Sequence, residues 1–275
     1  MKNTVLLWVI AFIITALAAY YQRVTGPTYP LSGKVVLDGK EIKYKLLRTH
    51  WSEQDVPVMI ETNDPEIRGF VDWKRYKTED TWTRVEMFYR KGWLTAMLPR
   101  QLPAGKLIYA VTLQKGEANV PIAEKEPVVI RYKADVPLSV LIIHIIAMFG
   151  AMFLSTRTGL EFFRKEAELK NLVLWTLGFL LVGGFILGPI VQKYAFNAYW
   201  TGWPFGSDLT DNKTALAFLS WFVVLLVLKK VKNPSRWALG AAIITIVVYL
   251  IPHSVLGSEL NYNEMDKQQK IEMKK

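Results

Sequence analysis

Five apolar runs free of Asp, Glu, Lys and Arg divide the chain: Thr4 to Tyr21, about Pro137 to Leu154, Leu172 to Val191, Ala215 to Leu228 and Trp237 to Pro252. Each approaches the ~20 residues that an α-helix needs to cross a bilayer core. The fourth is short, so Trp221 and the flanking lysines are expected to anchor it at the interface. Between the first and second runs, Val24 to Asp135, charges are frequent and apolar residues alternate with polar ones in Lys34-Val-Val-Leu-Asp38, Ile42-Lys-Tyr-Lys-Leu46, Val56-Pro-Val-Met-Ile60 and Leu107-Ile-Tyr-Ala-Val-Thr-Leu113. Turn signals at Asp38-Gly39, Asn63-Asp-Pro65, Lys91-Gly92, Pro103-Ala-Gly105 and Lys115-Gly116 delimit about seven or eight strands at the spacing of a β-sandwich. The pattern predicts an α-helical bundle of about five transmembrane helices, with an all-β sandwich inserted between the first and second. The expected boundaries are an anchor over 1–23, an exported sandwich over 24–135, a four-helix region over 136–253 and a polar tail over 254–275.

The first run has a second reading as a cleaved signal peptide, with Ala16 and Ala18 at the cleavage site. Its apolar character continues through Tyr21, which favours an uncleaved anchor, and in either form it exports the sandwich. Connector charge then sets orientation. Arg157, Arg164, Lys165 and Lys170 come after the second run, and Lys229, Lys230, Lys232 and Arg236 after the fourth, so both connectors are expected in the cytoplasm. The connector between them carries Lys193 and Lys213 against Asp208 and Asp211, and is expected outside with the sandwich and the C-terminal tail. The sandwich then lies on the opposite side of the membrane, periplasmic or extracellular.

Composition narrows the partners. A net charge of +10 in a chain 51% hydrophobic is basic enough to raise the question of nucleic acid. Here much of the positive charge flanks apolar runs, so lipid headgroups account for it, and no nucleic-acid partner is expected. The chain has no cysteine, which excludes disulfides, thiolate zinc sites, iron–sulfur clusters, covalent c-type haem and a lipidated N-terminal cysteine.

Candidate chemistry concentrates in the outward connector, 192–213. Tyr199, Trp200, Trp203 and Phe205 surround a Pro-Phe-Gly turn and precede Asp208, Asp211 and Asn212. One reading is an aromatic lid over a polar site, with Gln192, Lys193 and His253 at the same level; the other is an interfacial aromatic belt leading into a helix cap. For the cap, Thr210, Asp211 or Asn212 would accept the first free amides of the fourth span. An EF-hand is excluded because its alternating ligands, central glycine and distal glutamate do not occur in register, whereas a looser cation site stays open. His144 lies about 10 Å of helix inside Pro137 and His253 lies near the surface, so a haem bridging the two is not expected. His144 is expected to face the bundle and bond a backbone carbonyl or Ser139. The spacings Gly184 to Gly188 and Ala147 to Ala151 would let helices approach closely. P-loop, Gly-x-Ser-x-Gly, His-Glu-x-x-His and dinucleotide motifs do not occur, so no catalytic residue or cofactor is assigned and enzymatic activity is left open.

Two resemblances add to this reading. Leu98-Pro-Arg-Gln-Leu-Pro-Ala-Gly-Lys-Leu-Ile-Tyr109 resembles the turn and tyrosine entering a late strand of fibronectin type III and immunoglobulin-like domains, which implies that the Tyr109 ring and hydroxyl lock a sheet corner. Tyr199 to Lys213 and Val136 to Met152 resemble segments of uncharacterised bacterial inner-membrane proteins, which implies an envelope protein and supplies no activity. The leading expectation is a membrane protein that presents its sandwich to a membrane or periplasmic protein partner or assists envelope assembly. The alternatives are an enzyme or metal-dependent factor at the outer surface, using the 198–213 loop with His144 and His253, and a glycan-binding module using Trp51, Trp73, Trp82 and Trp93.

Overall fold

Charge-free apolar runs fold as helices and alternating runs as strands in the computed structural model, which describes residues 4–123, 127–252, 255 and 257–273. The chain mixes long apolar helices with two mostly antiparallel β-sheets. It divides into two compact units, Met1–Pro27 with Val136–Ser258, and Thr28–Asp135 with Glu259–Lys275.

The helical unit comprises α1 (Thr4–Thr25), α2 (Leu138–Gly159, continued by a 3-10 turn to Phe163), α3 (Lys170–Leu180), α4 (Gly188–Phe196), α5 (Leu209–Val227) and α6 (Pro234–Leu250). A π-helical turn, Leu181–Leu187, joins α3 to α4 into one rod of 27 residues. Among the described residues, four helices are long and apolar enough to cross a membrane: α1, the extended α2, the α3–α4 rod and α5. At 17 residues α6 is shorter.

Small residues bring these helices together. A Cβ on Gly159 would lie 2.4 Å from that of Ala242, and one on Gly184 would lie 2.3 Å from Thr214 Cγ2. The expected partner position, Gly188, meets His144 only at 3.8 Å, while Gly183 sits against Ala147 and Met148. The π turn explains part of this, because the Gly183 carbonyl accepts the Gly188 amide and keeps a lone pair for His144 Nδ1, 3.0 Å away.

Two sequence expectations are corrected in this unit. Trp221 does not anchor α5 at an interface: it is fully buried, and its indole N–H lies 2.9 Å from Thr245 Oγ1 and 3.1 Å from Ser155 Oγ. Arg157 is not a connector charge but part of α2, with 2% of its surface exposed.

The β unit holds β1 (Leu31–Leu37), β2 (Lys40–Leu46), β3 (Thr49–Trp51), β4 (Val56–Glu61), β5 (Arg68–Arg75), β6 (Thr83–Glu86), β7 (Phe88–Arg90), β8 (Trp93–Leu98), β9 (Lys106–Lys115), β10 (Ala118–Ile122) and β11 (Val128–Lys133). Among the described residues eleven strands replace the seven or eight expected, because pieces as short as β3 and β7 carry too few residues to show a period. One sheet runs β1-β2-β4-β8-β7; the other runs β3-β11-β9-β5-β6, with β10 also on β9. Among the described residues only the β3–β11 pairing is parallel. Asp38 and Gly39 both have positive φ and close the β1–β2 hairpin, as a tight two-residue turn requires.

Inward residues of both sheets, among them Leu37, Ile60, Val71, Leu94, Val111 and Ile130, form one core. Tyr109 is buried there, yet its hydroxyl does not close a corner near its own strand. It donates to the Leu47 carbonyl, 2.8 Å away and 62 positions earlier, which ties β9 to the segment between β2 and β3.

The tail expected to be merely polar forms α7 (Tyr262–Glu272), capped by the Asn261 side chain, which accepts the Glu264 amide. Tyr262, its buried residue, accepts the Lys106 amide at 3.0 Å and donates to Gln101 Oε1 at 2.9 Å. Arg75 is held between Asp80 (Nε to Oδ2, 2.6 Å) and Asp266 (Nη2 to Oδ2, 2.7 Å), and stacks on the Tyr262 ring. That guanidinium keeps the Asp80 and Asp266 carboxyls below their ordinary pKa, whereas burial pushes the Tyr262 hydroxyl up to about 12.

Candidate functional site

The connector between α4 and α5 is built from its own backbone first. Asn197, in the left-handed region at φ 61°, ends α4. Further on, the Phe205 and Gly206 amides both bond the Gly202 carbonyl, and the Asp208 amide bonds the Thr201 carbonyl, all at 2.9 Å. These bonds fold 201–208 into a closed loop.

Asp208 and Asp211 hold that loop, with roles opposite to those expected. Asp208 is the N-cap of α5: Oδ1 accepts the Thr210 amide at 2.8 Å. The expected cap at Thr210, Asp211 or Asn212 fails because the loop enters the helix two residues earlier than the sequence suggests. Asp208 Oδ2 accepts the Ser258 amide at 2.8 Å and lies 3.1 Å from the hydroxyls of Ser258 and Thr201. Asp211 turns back instead, its Oδ2 accepting the Thr201 and Gly202 amides at 2.7 and 2.9 Å. Asn212 Oδ1 accepts the Trp203 amide at 2.7 Å. Gln192 completes the cluster: with its nitrogen toward Asp211 Oδ1 (3.0 Å) and the Tyr199 carbonyl (3.2 Å), its oxygen faces the Thr201 and Ser258 hydroxyls. Gly202 is required by this packing, since a Cβ would fall 2.5 Å from that of Asp211.

The aromatic residues do not form a lid. Trp200 stacks on Phe185 at 5.6 Å and donates to the Trp203 carbonyl, while Trp203 and Phe205 are 78% and 82% exposed, too open to be packed over the carboxylates. Thus Asp208, Asp211 and Asn212 come together, the Trp203 and Phe205 rings stand apart, and His144 is bonded to Gly183 on the α3–α4 rod. His253 lies outside the described residues. Among the described residues no three His, Asp or Glu side chains converge as a metal site. Carboxylates supplied with backbone and side-chain donors on both oxygens are suited to fixing a loop.

Sequence reading missed a second cluster, at the far end of α2. Glu161, with no exposed surface, receives Arg157 Nη1 at 2.5 Å, Arg164 Nη1 at 3.0 Å and the Glu168 amide at 2.9 Å. Arg157 also lies over the Trp8 ring at 5.0 Å. The available signal was the i, i+4 spacing of Arg157 and Glu161, which stacks the two on one helix face. The exposed tryptophans of the β unit are partly occupied as well: the Lys133 ammonium lies 4.4 Å from the Trp51 ring centre and that of Lys74 lies 5.5 Å from Trp82, while Trp73 packs on the core.

The loop geometry predicts that Asp211→Ala lowers stability by about 1–3 kcal/mol, because two amides lose their acceptor. Asp211→Asn should cost less, since its remaining oxygen still faces Thr201 and Gly202. Thermal unfolding of the detergent-solubilised protein, read with cellular abundance, checks this. Loss of function in Asp211→Asn at unchanged stability and abundance would return the residue to chemistry. Comparisons with protein-family models, curated proteins and solved structures found no match to this chain.

Proposed function

We propose that this chain is an integral protein of the bacterial inner membrane that displays an immunoglobulin-like sandwich on the exported side, where it binds a membrane or periplasmic protein partner or assists envelope assembly. The observation that carries this reading is the placement of the C-terminal tail within the β unit. The chain leaves that unit at Asp135 and returns to it at Glu259. Whatever crosses a bilayer between those points therefore crosses an even number of times. Four crossings satisfy this: α2, the α3–α4 rod, α5 and the shorter α6, whose 17 residues span about 26 Å at the usual helical rise. With α1 the crossings number five, and the lysines after α5 fall inside.

The saturated carboxylates of the 201–211 loop favour display over surface chemistry. The exposed rings of Trp203 and Phe205 suit an interfacial belt.

Because the chain lacks cysteine, single cysteines test the topology directly. Asn119→Cys and Lys270→Cys should react with a membrane-impermeant maleimide in intact spheroplasts, and Lys165→Cys and Lys232→Cys only after lysis. Asn119 and Lys270 on opposite sides would overturn the arrangement. Photo-crosslinking from Trp51, Phe88 and Trp93 in cells should then trap an envelope protein, and no adduct from any of the three would retire the partner-binding role.

A further inference from the structure

Within the helical unit, α5 and α6 leave an apolar groove along the face they share. Leu216, Leu219 and Val223, spaced to lie on one face of α5, form one wall; Trp237 and Ile244 form the other, with Gly240 between them. Its volume is about 500 Å³, within the range of pockets that hold ligands. The wall side chains are exposed, while Val224 and Ala241 beneath them are buried. A Cβ on Gly240 would meet nothing within 4 Å. Glycine weakens a helix, and among the described residues nothing uses the room this one leaves. α1 packs elsewhere: Gln22 donates to the Tyr249 carbonyl at 2.7 Å, and Tyr249 lies about two and a half turns beyond Gly240, on the opposite side of α6.

The groove has the depth of one leaflet. From Arg236 to Ile244 α6 rises about 12 Å, and from Leu216 to Val224 α5 rises as much. Half of a hydrocarbon core of about 30 Å is about 15 Å. The two helices are joined at one end by 228–233, so the groove begins beside that connector and ends toward mid-span.

Charge selects the occupant. Arg236 borders the groove at the connector end, and Lys229, Lys230 and Lys232 precede it. None of these four side chains has a hydrogen bond or ion pair among the described residues, and no Asp or Glu occurs between Asp211 and Glu259. α6 starts with neither a bond from the Asn233 side chain nor an acidic residue in its first turn, so its dipole adds to the positive field. A second copy is a poor match, because crossing the bilayer in the same direction it would bring its own Arg236 and lysines to the same level. An apolar helix would fill the walls and leave the cations unmatched. A phospholipid with an anionic head matches both.

We infer that the α5–α6 groove binds an anionic phospholipid of the cytoplasmic leaflet, with one acyl chain lying along Gly240 between Val223 and Ile244 and the phosphate held by Arg236. A guanidinium can bond two phosphate oxygens at once, and the connector lysines add attraction without fixing the head. The site rests on the proposed arrangement, in which α5 and α6 cross the bilayer with their connector inside, and names the lipid class that arrangement holds.

Native mass spectrometry of the full chain, released from detergent, reads lipid occupancy directly. Titrated with dioleoylphosphatidylglycerol and dioleoylphosphatidylcholine, the chain should bind the first about tenfold tighter. Arg236→Gln should bring the two within about threefold while phosphatidylcholine adducts persist, which shows the groove intact, and Arg236→Lys should keep most of the preference. Gly240→Leu, which fills the floor, should weaken both lipids about fivefold with unchanged thermal unfolding of the lipid-free protein. Equal affinity for the two lipids, a preference unchanged by Arg236→Gln, or binding unchanged by Gly240→Leu would each overturn the inference. So would displacement of the lipid by millimolar glycerol 3-phosphate, which would mark a head-group site that does not use the groove, or dimers of the lipid-free protein that Gly240→Leu abolishes. Labelling of Lys232→Cys by the impermeant maleimide in intact spheroplasts would overturn the arrangement and with it the leaflet, whatever the lipid preference. Loss of the preference with Lys232→Cys protected would sink the lipid site alone.

Discussion

Glu161→Ala should destabilise the helical unit by about 3–5 kcal/mol, the range seen when one member of a buried ion pair is removed. Glu161 is the shared acceptor for Arg157, Arg164 and the Glu168 amide, and it is wholly enclosed. Its loss leaves the Arg157 guanidinium, itself 2% exposed, without a counter-charge in a place water does not reach. The control separates the cost of an orphaned charge from any intrinsic need for ions: Arg157→Met combined with Glu161→Leu should recover most of the loss, because well-packed apolar replacements of a buried pair are often neutral or better. Denaturant titration in detergent, monitored by tryptophan emission, reads both variants, and Trp8 beneath Arg157 is a reporter at the site. A loss below about 1 kcal/mol for Glu161→Ala would show that the pair behaves as a solvated surface bridge.

That cluster also marks where the sequence is hard to read. Arg157 looks like one of four basic residues in a connector, because charge counting treats every lysine and arginine after an apolar run as lying outside it. Helix geometry places Arg157 one turn before Glu161, and pairing keeps both within the folded helix end. The apolar runs themselves were legible, since a stretch without charge has few alternatives to a buried or membrane helix. Trp221 was misplaced because an indole in a span suits an interface or a core equally well until the Ser155 and Thr245 hydroxyls are seen beside it.

In the candidate loop the crowding of rings and carboxylates was visible, but not which carboxylate caps α5. Cap assignment depends on where the backbone leaves the loop, and the bond from the Asp208 amide to the Thr201 carbonyl decides it. Gln192 is at the expected level, but its bonds are not legible, and Ser258 is out of reach: each is brought to Thr201 by the fold and not by spacing. The tail was read as polar because α7 buries a single tyrosine, too little to raise an apolar period.

Tyr109→Ala is expected to cost about 3–5 kcal/mol, as for other large aromatic side chains removed from a core. The ring sits among the inward residues of both sheets and its hydroxyl reaches Leu47. Tyr109→Phe keeps the ring and should cost about 1 kcal/mol, the net worth of one hydrogen bond. Burial also holds the Tyr109 and Tyr132 hydroxyls above their ordinary pKa, and Tyr132 donates to the Pro99 carbonyl. The folded chain therefore keeps both protons at a pH where the unfolded chain releases them. Their contribution is complete below about pH 10, the unfolded tyrosine value, and falls as pH rises beyond it. Unfolding measured across that range should show a decline that is shallower in Tyr109→Phe and shallower still when Tyr132→Phe is added. Equal and negligible losses for Tyr109→Ala and Tyr109→Phe at neutral pH would mean that the link from β9 to Leu47 does not hold the two sheets together.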